Sequence, residues 1–247
     1  MRDFEFISAE PELWRVDLDG DVVFTEGNIL GTEIDLTDVL NLDRREELVN
    51  LKGALRVGNV IIEGSYMDAQ YDGFTTLSQT ITFLGQTFTI SSDVGSELDF
   101  EMATLHAKVG FGTPNVKVGG IIGLNYLDVR ARLESFTPVS LVEEDDVEFP
   151  FPVIGATAAV LLPLDGFAAE DSIISLFADA EVTGVAADID AYTGEFIDAS
   201  ARVGVRVAKF FSGGLGYRVL HVDFEDDDDN EAKVDLSGPF VFGALSF

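Results

Sequence analysis

The sequence predicts an all-β protein: an antiparallel, up-and-down transmembrane β-barrel of about ten strands, although counts of 8–14 would also fit. Three observations predict this fold class. Apolar residues make up 47% of the 247 residues, yet no apolar run reaches the roughly 20 residues that a spanning helix needs. Several segments alternate apolar and polar residues with the period of a strand. Short and long connections alternate along the chain, as they do in membrane barrels.

The alternation is clearest in 13–24, 47–57, 97–111 and 195–208. In the first of these segments, Trp14 and Val16 share one parity and Arg15 and Asp17 the other. We interpret the apolar parity as facing lipid and the charged parity as facing a polar lumen. Weaker segments complete the set of ten predicted strands, and these are 60–71, 116–129, 152–163, 171–186, 213–224 and 232–247.

Connection lengths predict which end of the barrel faces which compartment. Short turns, at 58–59, 112–115, 163–170 and 209–213, are expected at the periplasmic end. Long extracellular loops are expected at 25–46, 72–96, 130–151, 187–194 and 225–231. Residues 1–12 are predicted to form an N-terminal periplasmic segment, and residues 13–247 a single barrel domain.

The same parity rule predicts a lumen of mixed charge. Because about eight strands leave an interior that side chains fill, we expect the lumen to be narrow or blocked. The charged residues assigned to it are Arg15, Asp17, Asp19, Asp21, Lys52, Arg56, Glu63, Lys108, Lys117, Asp179, Glu181, Arg202 and Arg206. Aromatic residues at strand ends predict two girdles at the membrane interfaces, formed by Trp14, Phe111, Phe210 and Phe211 at one end and Tyr66 and Tyr126 at the other.

The last strand carries a family resemblance. Val241, Gly243, Leu245 and the terminal Phe247 alternate, and this pattern resembles the C-terminal assembly signal of Gram-negative outer-membrane β-barrels. The resemblance implies an outer-membrane location, contact with lipid and lipopolysaccharide, and insertion by the barrel-assembly machinery. On this interpretation a signal peptide is expected to have preceded Met1 and to have been removed.

Composition argues against several function classes. With 45 acidic and 15 basic residues, the chain offers no basic stripe for nucleic acid. We expect no cofactor and no catalytic motif. His221 and Asp223 alternate on one strand face, but a rim histidine beside an acidic loop is the favoured interpretation. The run Asp226, Asp227, Asp228 and Asp229 is a weak metal candidate, because it lacks the glycine-pivoted spacing of a calcium loop.

The leading functional hypothesis is therefore a passive membrane component: a narrow conduit for small solutes or apolar molecules, or a structural barrel. The alternative is an interaction protein whose external loops or periplasmic end bind an unidentified protein partner. An outer-membrane enzyme that uses His221 is the least favoured hypothesis. The main alternative fold is a soluble β-barrel, which would place apolar residues inside and charged residues outside.

Overall fold

The computed structural model describes residues 7–25, 29, 31–137, 140–166, 172–189, 192–226 and 231–247. Within these ranges no helix is long and apolar enough to cross a membrane. The strands are β1 Ile7–Val23, β2 Ile34–Asp35, β3 Arg45–Val57, β4 Val60–Thr76, β5 Ile81–Phe83, β6 Gln86–Phe88, β7 Asp93–Gly112, β8 Val116–Thr137, β9 Leu141–Pro163, β10 Ile174–Ile189, β11 Tyr192–Val207, β12 Phe211–Asp226 and β13 Glu231–Ser246.

Ten of these strands form one closed antiparallel sheet, in the order β1, β3, β4 and then β7 to β13, and β13 pairs back with β1. At the turn end, Ile7 and Phe247 exchange backbone hydrogen bonds of 3.0 and 2.8 Å. Closure satisfies the edge groups that lipid could not solvate. The predicted fold class and strand number are confirmed. β2, β5 and β6 lie in the loops at the opposite end.

An apolar belt encircles the half of the barrel nearest the short turns. Its outward side chains include Ile7, Leu13, Val49, Leu51, Ile62, Leu105, Ile122, Leu124, Ile154, Leu162, Leu176, Val203, Leu215, Val241 and Leu245, all exposed. The belt covers up to about ten residues of a strand, close to what a tilted transmembrane strand needs. The chain is therefore a transmembrane β-barrel. Its strands continue beyond the belt, away from the short turns, and we call this part, which includes β1 from Trp14 onwards, the upper barrel.

In the upper barrel the apolar side chains point inward and the charged side chains point outward, which reverses the arrangement at the belt. Trp14, Val16 and Leu18 are at most 3% exposed and point inward, whereas Arg15 and the three aspartates that follow it on the same parity point outward. The assignment of Arg15, Asp17, Asp19 and Asp21 to the lumen is therefore wrong. The physical reason is that the outer face meets water here, so the apolar parity packs inside as it does in a soluble barrel.

The first two external loops close the upper barrel on the side of β1, β4 and β7. In the first loop Ile34 and Leu40 are buried, and in the second Ile81 and Phe88 are buried. The loops are joined by a hydrogen bond from the backbone N–H of Thr32 to the carbonyl of Thr82, and by another from the N–H of Thr82 to the Thr32 hydroxyl, both 3.0 Å. These loops lie between the strands at 24–44 and 77–92. They match the predicted long connections 25–46 and 72–96, except that the first begins one residue earlier.

Two other predicted loops are wrong, because most of their residues extend the strands. β8 and β9 occupy 130–137 and 141–151, and β10 and β11 occupy 187–189 and 192–194. Consecutive charges such as Glu143 and Glu144 hid the alternation there. The predicted loop 225–231 stays a prediction, since 227–230 lie outside the described residues. The predicted barrel boundary at residue 13 is also too late, since β1 begins at Ile7 and pairs with β3 and β13.

Candidate functional site: an aromatic cavity above a closed lumen

Charged side chains fill the lumen at the level of the apolar belt. Nine of the residues predicted to face the lumen do so by strand parity, and they are Lys52, Arg56, Glu63, Lys108, Lys117, Asp179, Glu181, Arg202 and Arg206. Four other inward-facing charged residues lie beside them, and they are Glu10, Glu12, Asp198 and Arg218. We call the layer formed by Glu10, Glu12, Lys52, Glu63, Lys108, Asp179, Glu181, Asp198, Arg202 and Arg218 the ion-pair layer.

The ion-pair layer joins strands that are not neighbours in the sheet. Lys108 on β7 donates to Glu63 on β4 at 2.7 Å and to Glu181 on β10 at 2.6 Å. Arg202 on β11 donates to Asp179 at 2.6 Å and reaches Glu10 on β1 at 2.5 Å. Charged groups in a water-poor lumen are stable only when they are paired. The sequence positions that pair are therefore far apart but meet across the lumen.

Further contacts complete the layer towards the upper barrel. Lys52 lies 2.8 Å from Glu12, and Glu12 also accepts a 2.8 Å hydrogen bond from the Asn50 amide. Arg218 binds both carboxylate oxygens of Asp198, at 2.8 and 2.7 Å, in the bidentate geometry that guanidinium groups favour. Its guanidinium also lies 5.0 Å from the Trp14 ring centroid, a cation–π distance. Trp14 is therefore an interior residue, and its assignment to the aromatic girdle is wrong.

The ion-pair layer leaves little free space. Two cavities among its side chains have volumes of about 40 and 20 Å³, which suffices for a few water molecules. His106 follows the same pattern, since its Nε2 lies 2.9 Å from the Asn125 side-chain oxygen. Among the described residues, the cavities within the ion-pair layer are thus of the size of a few water molecules, as a narrow lumen requires.

An aromatic cavity of about 340 Å³ lies above this layer, on the side of β8 to β12. Its main inward side chains are Leu127, Phe149, Phe151, Phe196, Val222 and Phe224. The Phe149 and Phe224 rings stack with centroids 5.3 Å apart, and the Phe151 and Phe196 rings meet edge to face at 4.8 Å. Both arrangements are favourable for aromatic pairs. The rings thus form an apolar wall that retains free volume.

Acidic residues surround the aromatic cavity. Glu148, Glu195 and Asp223 also border it, and no basic residue is among its described lining residues. Glu148 accepts a 2.6 Å hydrogen bond from the hydroxyl of Tyr126, which faces outward at the upper edge of the apolar belt. The cavity therefore lies close to the level at which the barrel leaves the membrane, and its rim carries negative charge.

The other predicted site residues lie elsewhere. His221 faces outward, and its Nδ1 lies 2.7 Å from Asp235 on β13; it does not line the cavity. Asp227, Asp228 and Asp229 lie outside the described residues, as does the side chain of Asp226.

Five of the six predicted girdle residues face outward: Phe111, Phe210, Phe211, Tyr66 and Tyr126 are all exposed. Their placement at the bilayer interfaces stays a prediction. Val241, Gly243 and Leu245 also point outward on the closing strand, and recognition of this strand by the assembly machinery stays a prediction, as does contact with lipopolysaccharide.

The aromatic cavity was not predicted from the sequence. A usable signal was present in Phe149, Pro150, Phe151 and Pro152, because two prolines on one parity and two aromatic rings on the other are unusual in a strand. Glu10 and Glu12 were missed because the first residues were assigned to a separate segment. Arg218 was missed because its segment, 213–224, alternates only weakly in the sequence.

Comparison with known proteins supports the fold alone. No family model and no curated protein matches the chain. Among solved structures, the outer membrane protease OmpT from Escherichia coli aligns with a TM-score of 0.59 and 9% identity, over 100% of this chain and 99% of that one. The transport unit of the autotransporter AIDA-I from Escherichia coli aligns with a TM-score of 0.47 and 10% identity, over 100% and 93% of the two chains. The architecture is that of Gram-negative outer-membrane β-barrels.

Proposed function

We propose that this outer-membrane barrel binds a small apolar molecule in the aromatic cavity and serves as a passive carrier or conduit for it. The observation that carries the proposal is an aromatic-lined cavity of about 340 Å³ above a lumen that ion pairs close. This volume lies within the roughly 300–1,000 Å³ of small-molecule sites, which are mostly apolar with few polar groups. An aqueous pore for polar solutes is disfavoured by the ion-pair layer.

The acidic residues at the rim of the aromatic cavity restrict which ligands it can bind. Glu148, Glu195 and Asp223 at the cavity repel an anionic head group, because like charges at short range are unfavourable. The stacked Phe149 and Phe224 rings suit a planar ring as a third partner. We therefore propose neutral or cationic aromatic molecules as the preferred ligands, ahead of carboxylates with the same apolar part.

The test is a titration of the refolded barrel with fluoronaphthalene, in which fluorine NMR separates the bound signal from the membrane-dissolved signal. A control variant, Val222→Phe, fills the cavity from one of its lining positions and leaves the ion-pair layer intact. We expect saturable binding to the native barrel and loss of the bound signal in the variant. The same saturable signal in both proteins, or none in the native barrel, would overturn the proposal.

A further inference from the structure

We infer that the apolar ligand enters the aromatic cavity sideways, between β9 and β10, directly from the outer part of the membrane. This inference rests on the proposed function and adds the route to it. The pairing of β9 with β10 stops at Ile154 and Gly184. Beyond these residues β9 still pairs with β8 as far as Leu141, and β10 still pairs with β11 as far as Ile189. Among the described residues, 141–153 of β9 and 185–189 of β10 have no ladder pairing with each other, and we call these two stretches the seam.

Two prolines explain why the ladder ends there. The N–H of Leu164 donates to the Ile174 carbonyl on β10 at 2.9 Å, whereas the N–H of Leu161 donates to Asn115 beside β8 at 2.8 Å. Because donors alternate along a strand, even-numbered residues of β9 donate towards β10. The next two donors after Ile154 would be Pro152 and Pro150, and proline has no N–H.

The same prolines leave the other side of β9 intact. Odd-numbered residues carry the donors towards β8, and the register with β8 continues through Leu124 opposite Pro152 and Tyr126 opposite Pro150. The seam is therefore encoded by the sequence: two consecutive donors are missing on one edge of one strand. Carbonyl groups of β10 that face the seam at Ala186 and Asp188 have no N–H donor opposite them on β9.

The position of the seam fits a route from the membrane. Tyr126 and Leu124, opposite the two prolines, face outward at 39% and 57% exposure, at the upper edge of the apolar belt. On the inner side, Phe149 and Phe151 flank the prolines and form the cavity wall. The distance from the lipid-facing surface to the cavity is thus one strand thickness. The opposite side of the upper barrel is filled by buried loop residues such as Ile34 and Phe88.

The test restores the missing donors. The variant Pro150→Ala/Pro152→Ala can extend the β9–β10 ladder by two hydrogen bonds. The matched control is Pro163→Ala, which also replaces a proline of β9 but restores a donor on the β8 side. Both variants remove the stiffness of proline from the unfolded chain, at two positions in the double variant and at one in the control. Heat-modifiable gel mobility and far-UV circular dichroism check that each barrel folds.

The readout is fluorine exchange NMR of fluoronaphthalene in phosphatidylcholine nanodiscs, which gives the bound population and the rate of exchange with the membrane separately. Pro150 and Pro152 also border the aromatic cavity, so the bound fraction is measured separately from the rate. We expect the double variant still to bind the probe saturably but to exchange it roughly tenfold to thirtyfold more slowly, since two hydrogen bonds of typical strength must open. Pro163→Ala is expected to exchange at the native rate.

The outcomes distinguish this inference from the proposed function. If the double variant and the native barrel bind and exchange alike, the lateral route is wrong and the binding proposal stands. If Pro163→Ala slows exchange as much as the double variant, the effect is not specific to the seam and the route is again wrong. If the native barrel does not bind the probe at all, both proposals fail.

Discussion

Lys108 offers the sharpest test of the ion-pair layer. Its ammonium group lies between two carboxylates, at 2.7 Å from Glu63 and 2.6 Å from Glu181, and its side chain is 7% exposed. The substitution Lys108→Met keeps most of the volume but leaves two carboxylates in the lumen without their shared cation. Removing one partner from a buried ion pair typically costs 3–5 kcal/mol.

The loss of stability caused by Lys108→Met is reduced because water reaches the two carboxylates. Glu63 and Glu181 retain 23% and 24% side-chain exposure, so we take the low end and expect a loss of about 3 kcal/mol in the free energy of unfolding. This corresponds to more than a hundredfold in the unfolding equilibrium, at about 1.4 kcal/mol per factor of ten. A triple variant that adds Glu63→Gln and Glu181→Gln should recover most of the loss, because it leaves no unpaired charge.

The assay is reversible urea unfolding in detergent or lipid, followed by the fluorescence of Trp14, which is the one tryptophan of the chain. Lys233→Met is the matched control, because Lys233 is an exposed, outward residue of the upper barrel. We expect that change to cost less than about 1 kcal/mol, as exposed ion pairs do. Equal losses in the two single variants, or no recovery in the triple variant, would refute the argument that the layer is a coupled network.

Three further predictions address the outer face, the lumen and the terminal strand. In cells, a membrane-impermeant maleimide should label Asp17→Cys but not Leu18→Cys, because the first faces outward and the second inward; the reverse labelling would contradict the exchange of faces in the upper barrel. In planar bilayers the native barrel should show little ionic conductance and Arg202→Ala more, since Arg202 binds carboxylates of both β1 and β10; a large native conductance would contradict a narrow lumen. Phe247→Ala keeps the backbone bonds to Ile7 and should slow insertion in cells but not refolding in detergent, and equal insertion rates would argue against a role in assembly.

The fold could be predicted from the sequence because the apolar belt repeats the same signal on every strand. In β3 and β11, strict alternation identified both the strand and its lipid-facing parity. The same rule failed for Arg15 to Asp21, because alternation shows that two faces differ but not which face meets water. Whether the apolar parity faces outward or inward depends on the position of the residue along the barrel axis, within the membrane or above it.

The candidate site was harder to predict, because its parts are distant in the sequence. Glu10 and Arg202 are 192 positions apart, and nothing in the local pattern of either residue indicates the other. The aromatic cavity combines Phe149, Phe196 and Phe224 from three strands, and its existence depends on how well these rings fill space. The seam, in contrast, can be predicted from the sequence once the strand register is known. The register places Pro150 and Pro152 at two positions whose N–H groups would otherwise donate to β10.

Crystallography with bromonaphthalene tests most directly whether an apolar molecule occupies the aromatic cavity. Crystals of the barrel soaked with this probe give an anomalous signal at the bromine position. We predict a bromine peak among Phe149, Phe151, Phe196 and Phe224, with the ion-pair layer below it unchanged. Bromine peaks confined to the lipid-facing surface, with a cavity filled by side chains or ordered water, would contradict it.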